Sequence, residues 1–157
     1  MLYHRLYPIE FNHCDPAGIV FYPRYFEMTN HVCENFFREA VGLSYADMMK
    51  QHAGVPTVRL ETDFRAPSRL GDVLGVTLQV TRLGTSSVTF EIVGACGGQV
   101  RLVVAITLWM HLPMSSGEAI AALVHAPGGN KLAVIDPSPT FAAPFGLFAV
   151  LTGVMLL

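Results

Sequence analysis

The run Asn12-His13-Cys14-Asp15-Pro16-Ala17-Gly18-Ile19-Val20-Phe21-Tyr22-Pro23 holds the residues best placed for chemistry. Asp15 stands in a turn, seven residues before Tyr22, where the pattern predicts a helix to begin. A helix N-terminus presents backbone N–H groups without intrahelical partners and the positive end of the macrodipole. A carboxylate beside it can attack, or direct water at, a carbonyl whose oxygen rests on those N–H groups. Hydrolysis of an activated acyl group needs little more. Pro16 and Gly18 fix the turn and allow close backbone approach. Pro23 carries no N–H, so the donors expected at an oxyanion are those of Tyr22 and, after it, Arg24. One such donor is worth about 2.7–4 kcal/mol. Direct attack by Asp15, through a mixed anhydride, and general-base activation of water are both open.

Plainer readings stand beside this one. An Asp-Pro pair alone is an ordinary turn former, and only the whole motif shifts the balance to catalysis. His13 and Cys14 flank Asp15, but adjacent residues on an extended segment point apart, which argues against a Cys-His nucleophile. Cys14 then reads as packing and Cys33, on the helix stripe, as core. His13, Cys14, His31 and Cys33 lack ordinary zinc spacing, so no metal site is expected. Tyr25 and Phe26 are candidates to line an acyl pocket, although a helical aromatic stripe is more often core. Asn30, four residues after Phe26, is a candidate to bond a distal polar atom of a substrate.

The elements that would position these groups follow from periodicity. Residues 3–12 read as a first strand, with Pro8 marking an edge or bulge. Tyr22, Tyr25, Phe26, Thr29, Val32, Cys33, Phe36, Phe37 and Ala40 recur at helical spacing, with Pro23 at the first helical position and Gly42 as the stop. This aromatic helix is expected to be central. Ser44-Tyr45-Ala46-Asp47 resembles a capping box for a short helix that Gly54 and Pro56 end, with Leu43 and Met48 as its hydrophobic staple. From 57 to 113 the chain alternates with period two. Val58, Leu60, Thr62 and Phe64 form one face of a strand expected to be half buried. Further strands follow between turns at Gly71-Asp72, Gly84-Thr85-Ser86 and Gly97-Gly98. The strand over 99–111 is apolar on much of both faces, which predicts cover from the helix on one side and a second subunit on the other. One long helix, one short helix and five strands predict an α+β fold with an antiparallel sheet around the helix.

The chain has 157 residues, enough for one domain with a real core. Its net charge of -2 excludes bulk electrostatic attraction to nucleic acid. Charged residues make up 14%, against roughly 25% in ordinary globular chains. That predicts surface covered by another subunit, an abnormally apolar part of the chain, or both. Three cysteines without close spacing fit a reducing compartment, and the first residues lack a signal-peptide core, so a cytoplasmic location is expected.

The stretch Asp15-Pro16-Ala17-Gly18-Ile19-Val20-Phe21-Tyr22-Pro23-Arg24-Tyr25-Phe26 resembles the hotdog-fold acyl-CoA thioesterases, above all their 4-hydroxybenzoyl-CoA thioesterase branch. Arg65-Ala66-Pro67 and Leu70-Gly71-Asp72-Val73 extend the likeness, which covers residues 3–113. It implies a hotdog fold, a five-stranded antiparallel sheet wrapped around a long central helix. It also implies a homodimer or homotetramer with active sites at the dimer interface. By resemblance Asp15 is catalytic and the Tyr22 backbone N–H polarises the thioester carbonyl. Gly18, Tyr25, Phe26 and Asn30 then belong to the acyl-CoA site. No metal or other cofactor is implied, coenzyme A being part of the substrate. Its phosphates call for cations, and Arg59, Arg65, Arg69, Arg82 and Arg101 are the candidates, Arg59 and Arg65 first. The acyl group, aromatic or aliphatic, stays open.

After residue 113 the likeness fades, so we divide the chain into a 1–113 thioesterase domain and an atypical 114–157 tail. Residues 141–157 carry no charge, yet Pro144 and the lack of a basic flank weigh against a membrane helix. The rival functions are a non-catalytic acyl-CoA-binding hotdog protein, an acyl-carrier-protein thioesterase and a hotdog dehydratase. The last wants a His paired with a carboxylate, for which only His13 and Asp15 are near.

Overall fold

The computed structural model describes residues 2–111, so the 114–157 tail and the expectations placed on it lie outside the described residues. The chain runs as strand β1 (Leu2–Pro8), helix α1 (Pro23–Phe36), helix α2 (Tyr45–Lys50), then β2 (Thr57–Phe64), β3 (Val73–Leu83), β4 (Ser87–Cys96) and β5 (Gln99–Trp109). All five strands pair antiparallel in the order β1-β3-β4-β5-β2. This is the α+β architecture that the resemblance implied.

Local chemistry explains the boundaries. Pro23 opens α1, where a missing N–H costs nothing. The last turn, Phe37–Val41, widens to π-helical bonding and stops at Gly42, whose φ of 79° suits glycine. The Ser44 side chain caps α2 by accepting from the Asp47 N–H at 3.1 Å. Gly97 and Gly98 both have positive φ, which the tight β4–β5 hairpin requires.

The core lies between α1 and the sheet. Val32, Cys33, Phe36 and Phe37 of α1 and its extension meet Leu78, Phe90, Ile92, Val104 and Leu108 of β3, β4 and β5. Phe90 takes the rings of Phe36 and Phe37 edge-on, at 5.2 and 6.1 Å between centroids. The buried stripe also includes Met28 and Asn35, while Tyr22 is exposed and Phe26 and Ala40 are half-buried. Asn35 is tolerated because its amide is satisfied. Its Nδ2 donates to the His31 carbonyl at 2.7 Å, and its Oδ1 accepts from Arg5 and Arg38.

Strand β2 departs from the half-buried pattern its alternation predicts. It pairs only with β5, and Val58, Leu60 and Phe64 are all exposed. As an edge strand, β2 meets α1 at Phe64, while Val58 and Leu60 show apolar surface to water among the described residues. The outward face of β5 is likewise only half-buried.

Cys33 is core, as expected, and burial pushes its thiol up to about 12. The folded chain disfavours the thiolate, so this group's contribution is full below the ordinary thiol range and is lost as pH rises from there towards 12. Thiol labelling at pH 8 is expected to reach Cys14 and Cys96, both half-buried, but Cys33 only after unfolding. Labelling of Cys33 in the native protein would contradict this packing.

Candidate active site

Asp15 sits at the tip of a short hairpin that is built almost entirely from backbone bonds. Cys14 and Val20 form a bridge, with Asp15 N–H donating to the Ile19 carbonyl at 3.0 Å and Phe21 N–H to the His13 carbonyl at 2.9 Å. The turn closes through Gly18 N–H to the Asp15 carbonyl at 2.9 Å, with Gly18 at φ 73°. One carboxylate oxygen of Asp15 accepts the Ala17 N–H at 2.8 Å. That bond orients the side chain as an Asx-turn does. The second oxygen has no partner among the described residues, and the side chain is half-buried.

The hairpin leads into the start of α1. There Arg24 N–H donates to the Phe21 carbonyl at 2.9 Å and Tyr25 N–H to the Tyr22 carbonyl at 3.2 Å. Arg24 is therefore occupied, and Tyr22 N–H is the donor left without an acceptor among the described residues. Pro23 could not have competed for the role. Among the described residues, a carboxylate oxygen and an N–H without partners thus stand at opposite ends of one hairpin.

Rings surround the helix start. Phe21 meets Tyr22 at 5.4 Å, Tyr22 meets Phe26 at 6.2 Å, and Phe64 of β2 meets both Phe26 (6.4 Å) and Tyr25 (5.7 Å). Phe21, Tyr22 and Phe64 remain exposed although large and apolar. Contiguous exposed rings of this kind mark a binding surface. Phe64 was not singled out in the sequence. Period two gave its face, but not that the strand's end returns to α1.

The other candidates divide. Tyr25 is buried, and its hydroxyl accepts the Ser68 N–H at 3.1 Å. Asn30 is exposed on α1. Arg59 and Arg65 lie on and just after β2, each paired with a neighbouring carboxylate, Glu61 and Asp63. Arg101 lies 3.7 Å from Asp72. Arg69 forms a bridge with Ile19 of the Asp15 hairpin, and its N–H is held by Asp72 at 2.9 Å. Among the described residues its side chain has no carboxylate partner, a state it shares with Arg82 alone of the lysines and arginines. His13 spends its ring locally, Nδ1 accepting the Glu10 N–H at 2.9 Å. Among the described residues no three His, Cys, Asp or Glu side chains gather as metal ligands, and no helix is long and apolar enough to cross a membrane.

The family model described as thioesterase superfamily matches residues 17–103, beginning two residues after Asp15. Among solved structures, the chain is similar to a gentisyl-coenzyme A thioesterase. Identity is 26% over 77% of this chain and 99% of that one, with a TM-score of 0.68. It is also similar to a 1,4-dihydroxy-2-naphthoyl-CoA thioesterase from Synechocystis (20% identity, 80% and 99% covered, TM-score 0.71). A third similar structure is a Staphylococcus aureus protein in complex with CoA (16% identity, 89% and 90% covered, TM-score 0.73). No curated protein matches the chain.

Proposed function

The chain belongs to the thioesterase superfamily, and from that premise we propose that it hydrolyses an aromatic acyl-CoA thioester to the free acid and coenzyme A. The observation that carries the reading is that, among the described residues, an Asp15 carboxylate oxygen and the Tyr22 N–H at the two ends of one hairpin are both without partners. The thioester carbonyl oxygen accepts the Tyr22 N–H, which stabilises the charge that develops there. Asp15 either attacks the carbonyl carbon or takes a proton from the attacking water. By both routes the C–S bond breaks and coenzyme A leaves as a thiolate that takes up a proton; on the first, water then hydrolyses the Asp15 anhydride, releasing the acid and regenerating the carboxylate. The reaction calls for no separate cofactor.

The exposed rings of Phe21, Tyr22 and Phe64, with half-buried Phe26 among them, favour an aromatic acyl group, since offset and edge-on ring contacts add to plain burial. Two of the similar structures are thioesterases of aromatic acyl-CoA esters by name. Gly18 keeps the backbone at the turn open to substrate, and Asn30 is a candidate for a polar group further along α1. A homodimer, alone or paired as a homotetramer, is part of the reading. A second copy would cover the unpaired edge and exposed apolar face of β2.

For the phosphates of coenzyme A, Arg69 is the favoured cation. It is tied to the Asp15 hairpin, and among the described residues its guanidinium has no carboxylate partner, whereas Arg59 and Arg65 share their charge with Glu61 and Asp63. Arg69→Ala is expected to raise KM for CoA esters about tenfold, the scale of one charged hydrogen bond, and to leave kcat unchanged. Unchanged KM would return the role to Arg59 and Arg65.

The reading is tested by following free thiol from benzoyl-, hydroxybenzoyl-, phenylacetyl-, short-chain and long-chain acyl-CoA. Fast release from the aromatic esters is the expected result. Preference for an aliphatic ester would remove the aromatic assignment, and no turnover of any ester would favour a binding role or an acyl-carrier-protein substrate.

A further inference from the structure

We propose that Tyr25 is a positioning residue, its phenol acting as a strut that sets the spacing between Asp15 and the Tyr22 N–H. The proposal rests on the thioesterase reading above. The phenolic oxygen accepts the Ser68 N–H at 3.1 Å, across 43 residues of sequence. The Ser68 carbonyl in turn accepts the Val20 N–H at 2.9 Å. Val20 bridges Cys14 on the opposite arm of the catalytic hairpin, and Ile19 beside it accepts from Asp15 N–H. Tyr25 itself lies one turn after Tyr22 on α1 and donates its N–H to the Tyr22 carbonyl.

These bonds close a ring. From the donor at Tyr22 the path runs through the first turn of α1, the Tyr25 phenol, Ser68 and Val20 to the arm that carries Asp15. A closed ring fixes a distance that an open hairpin would leave free to breathe. Tyr25, Ser68 and Val20 are all buried, so water does not replace the bond if the phenol is removed. The orphaned Ser68 N–H must then move towards solvent and take the Val20 contact with it. The reacting groups tolerate little such movement, because a misplacement of about 1 Å can cost on the order of a hundredfold in rate.

Tyr25 is thereby distinguished from the acyl-lining role its neighbours fill. Its ring packs on Phe64, but its hydroxyl is committed to Ser68. Tyr25→Phe keeps the ring and removes only the acceptor. With benzoyl-CoA as the probe, the variant is expected to lose about ten- to a hundredfold in kcat with KM within about twofold, the pattern of an interaction that matters only in the transition state. Amide hydrogen exchange is expected to quicken at Ser68 and Val20 in the same variant. Faster exchange with kcat retained would make the strut purely structural and overturn the proposal. A raised KM with kcat retained would do so too, by making the phenol a substrate contact. Unchanged exchange at both amides would refute the ring itself. Wild-type turnover of the ester panel tests the thioesterase reading separately, and a wild type inactive on every ester removes both that reading and this role.

Discussion

Replacing Asp15 with asparagine is expected to lower kcat by about a thousandfold while leaving the fold intact. The magnitude follows from the role, since a positioned acid–base group contributes roughly 10²–10⁴-fold. The intact fold follows from the turn. The oxygen that accepts the Ala17 N–H at 2.8 Å is the one an asparagine amide retains, and the hairpin is otherwise closed by backbone bonds. What asparagine lacks is the charge on the second oxygen. It can neither attack the carbonyl carbon to form an anhydride nor accept a proton from water. Tyr22 N–H remains, so tight binding of the ester should survive. Thiol release under single-turnover conditions, with circular dichroism as the control for folding, would decide the point. A variant that stays folded and keeps a tenth or more of the wild-type rate would show that another group performs the chemistry.

The largest effect on stability is expected at Phe37, where alanine should cost about 3–5 kcal/mol. Phe37 is fully buried where α1 passes into its π-helical turn. Its ring meets Phe36 at 5.8 Å, Tyr45 of α2 at 5.9 Å and Phe90 of β4 at 6.1 Å. Three separate elements therefore lose a partner, and the cavity is enclosed by groups that the sheet holds in place. Only partial collapse is available to them. Against a usual total of about 5–15 kcal/mol, this is a large fraction. Urea unfolding of Phe37→Ala measures it, and a loss below about 1 kcal/mol would mean that the core around Phe90 repacks freely.

Much of the site was legible in the sequence because it is made by local physics. Asp15, Pro16 and Gly18 form their turn from side-chain and dihedral preferences that act within four residues. Pro23 opens the helix and silences its own position as a donor, so Tyr22 could be named without a structure. Ser44 and Asp47 announced the cap of α2, and Gly97-Gly98 the hairpin. Arg24 shows where such reasoning stops. Its N–H counts as a possible oxyanion donor until one sees it bonded to the Phe21 carbonyl. Asn30 and Asn35 show the same limit, since helical spacing does not say which amide the flanking strands will bury, and Arg5 of β1 is among the partners that satisfy Asn35.

By itself, then, the sequence determined the elements and the Asp15 turn, because periodicity and turn chemistry are written in neighbouring residues, and its motif from Asp15 to Phe26 pointed to the family. Tertiary structure alone decided that β2 lies at the edge of the described sheet, with Val58 and Leu60 exposed among the described residues. It alone brought Phe64 onto Tyr25 and Phe26, and Ser68 onto the Tyr25 phenol. It alone brought Arg69 beside the hairpin, bridged to Ile19. Each of these is a contact between distant segments, set by strand order and register. A period of two fixes which face a side chain takes and says nothing of which strand or helix will lie beside it.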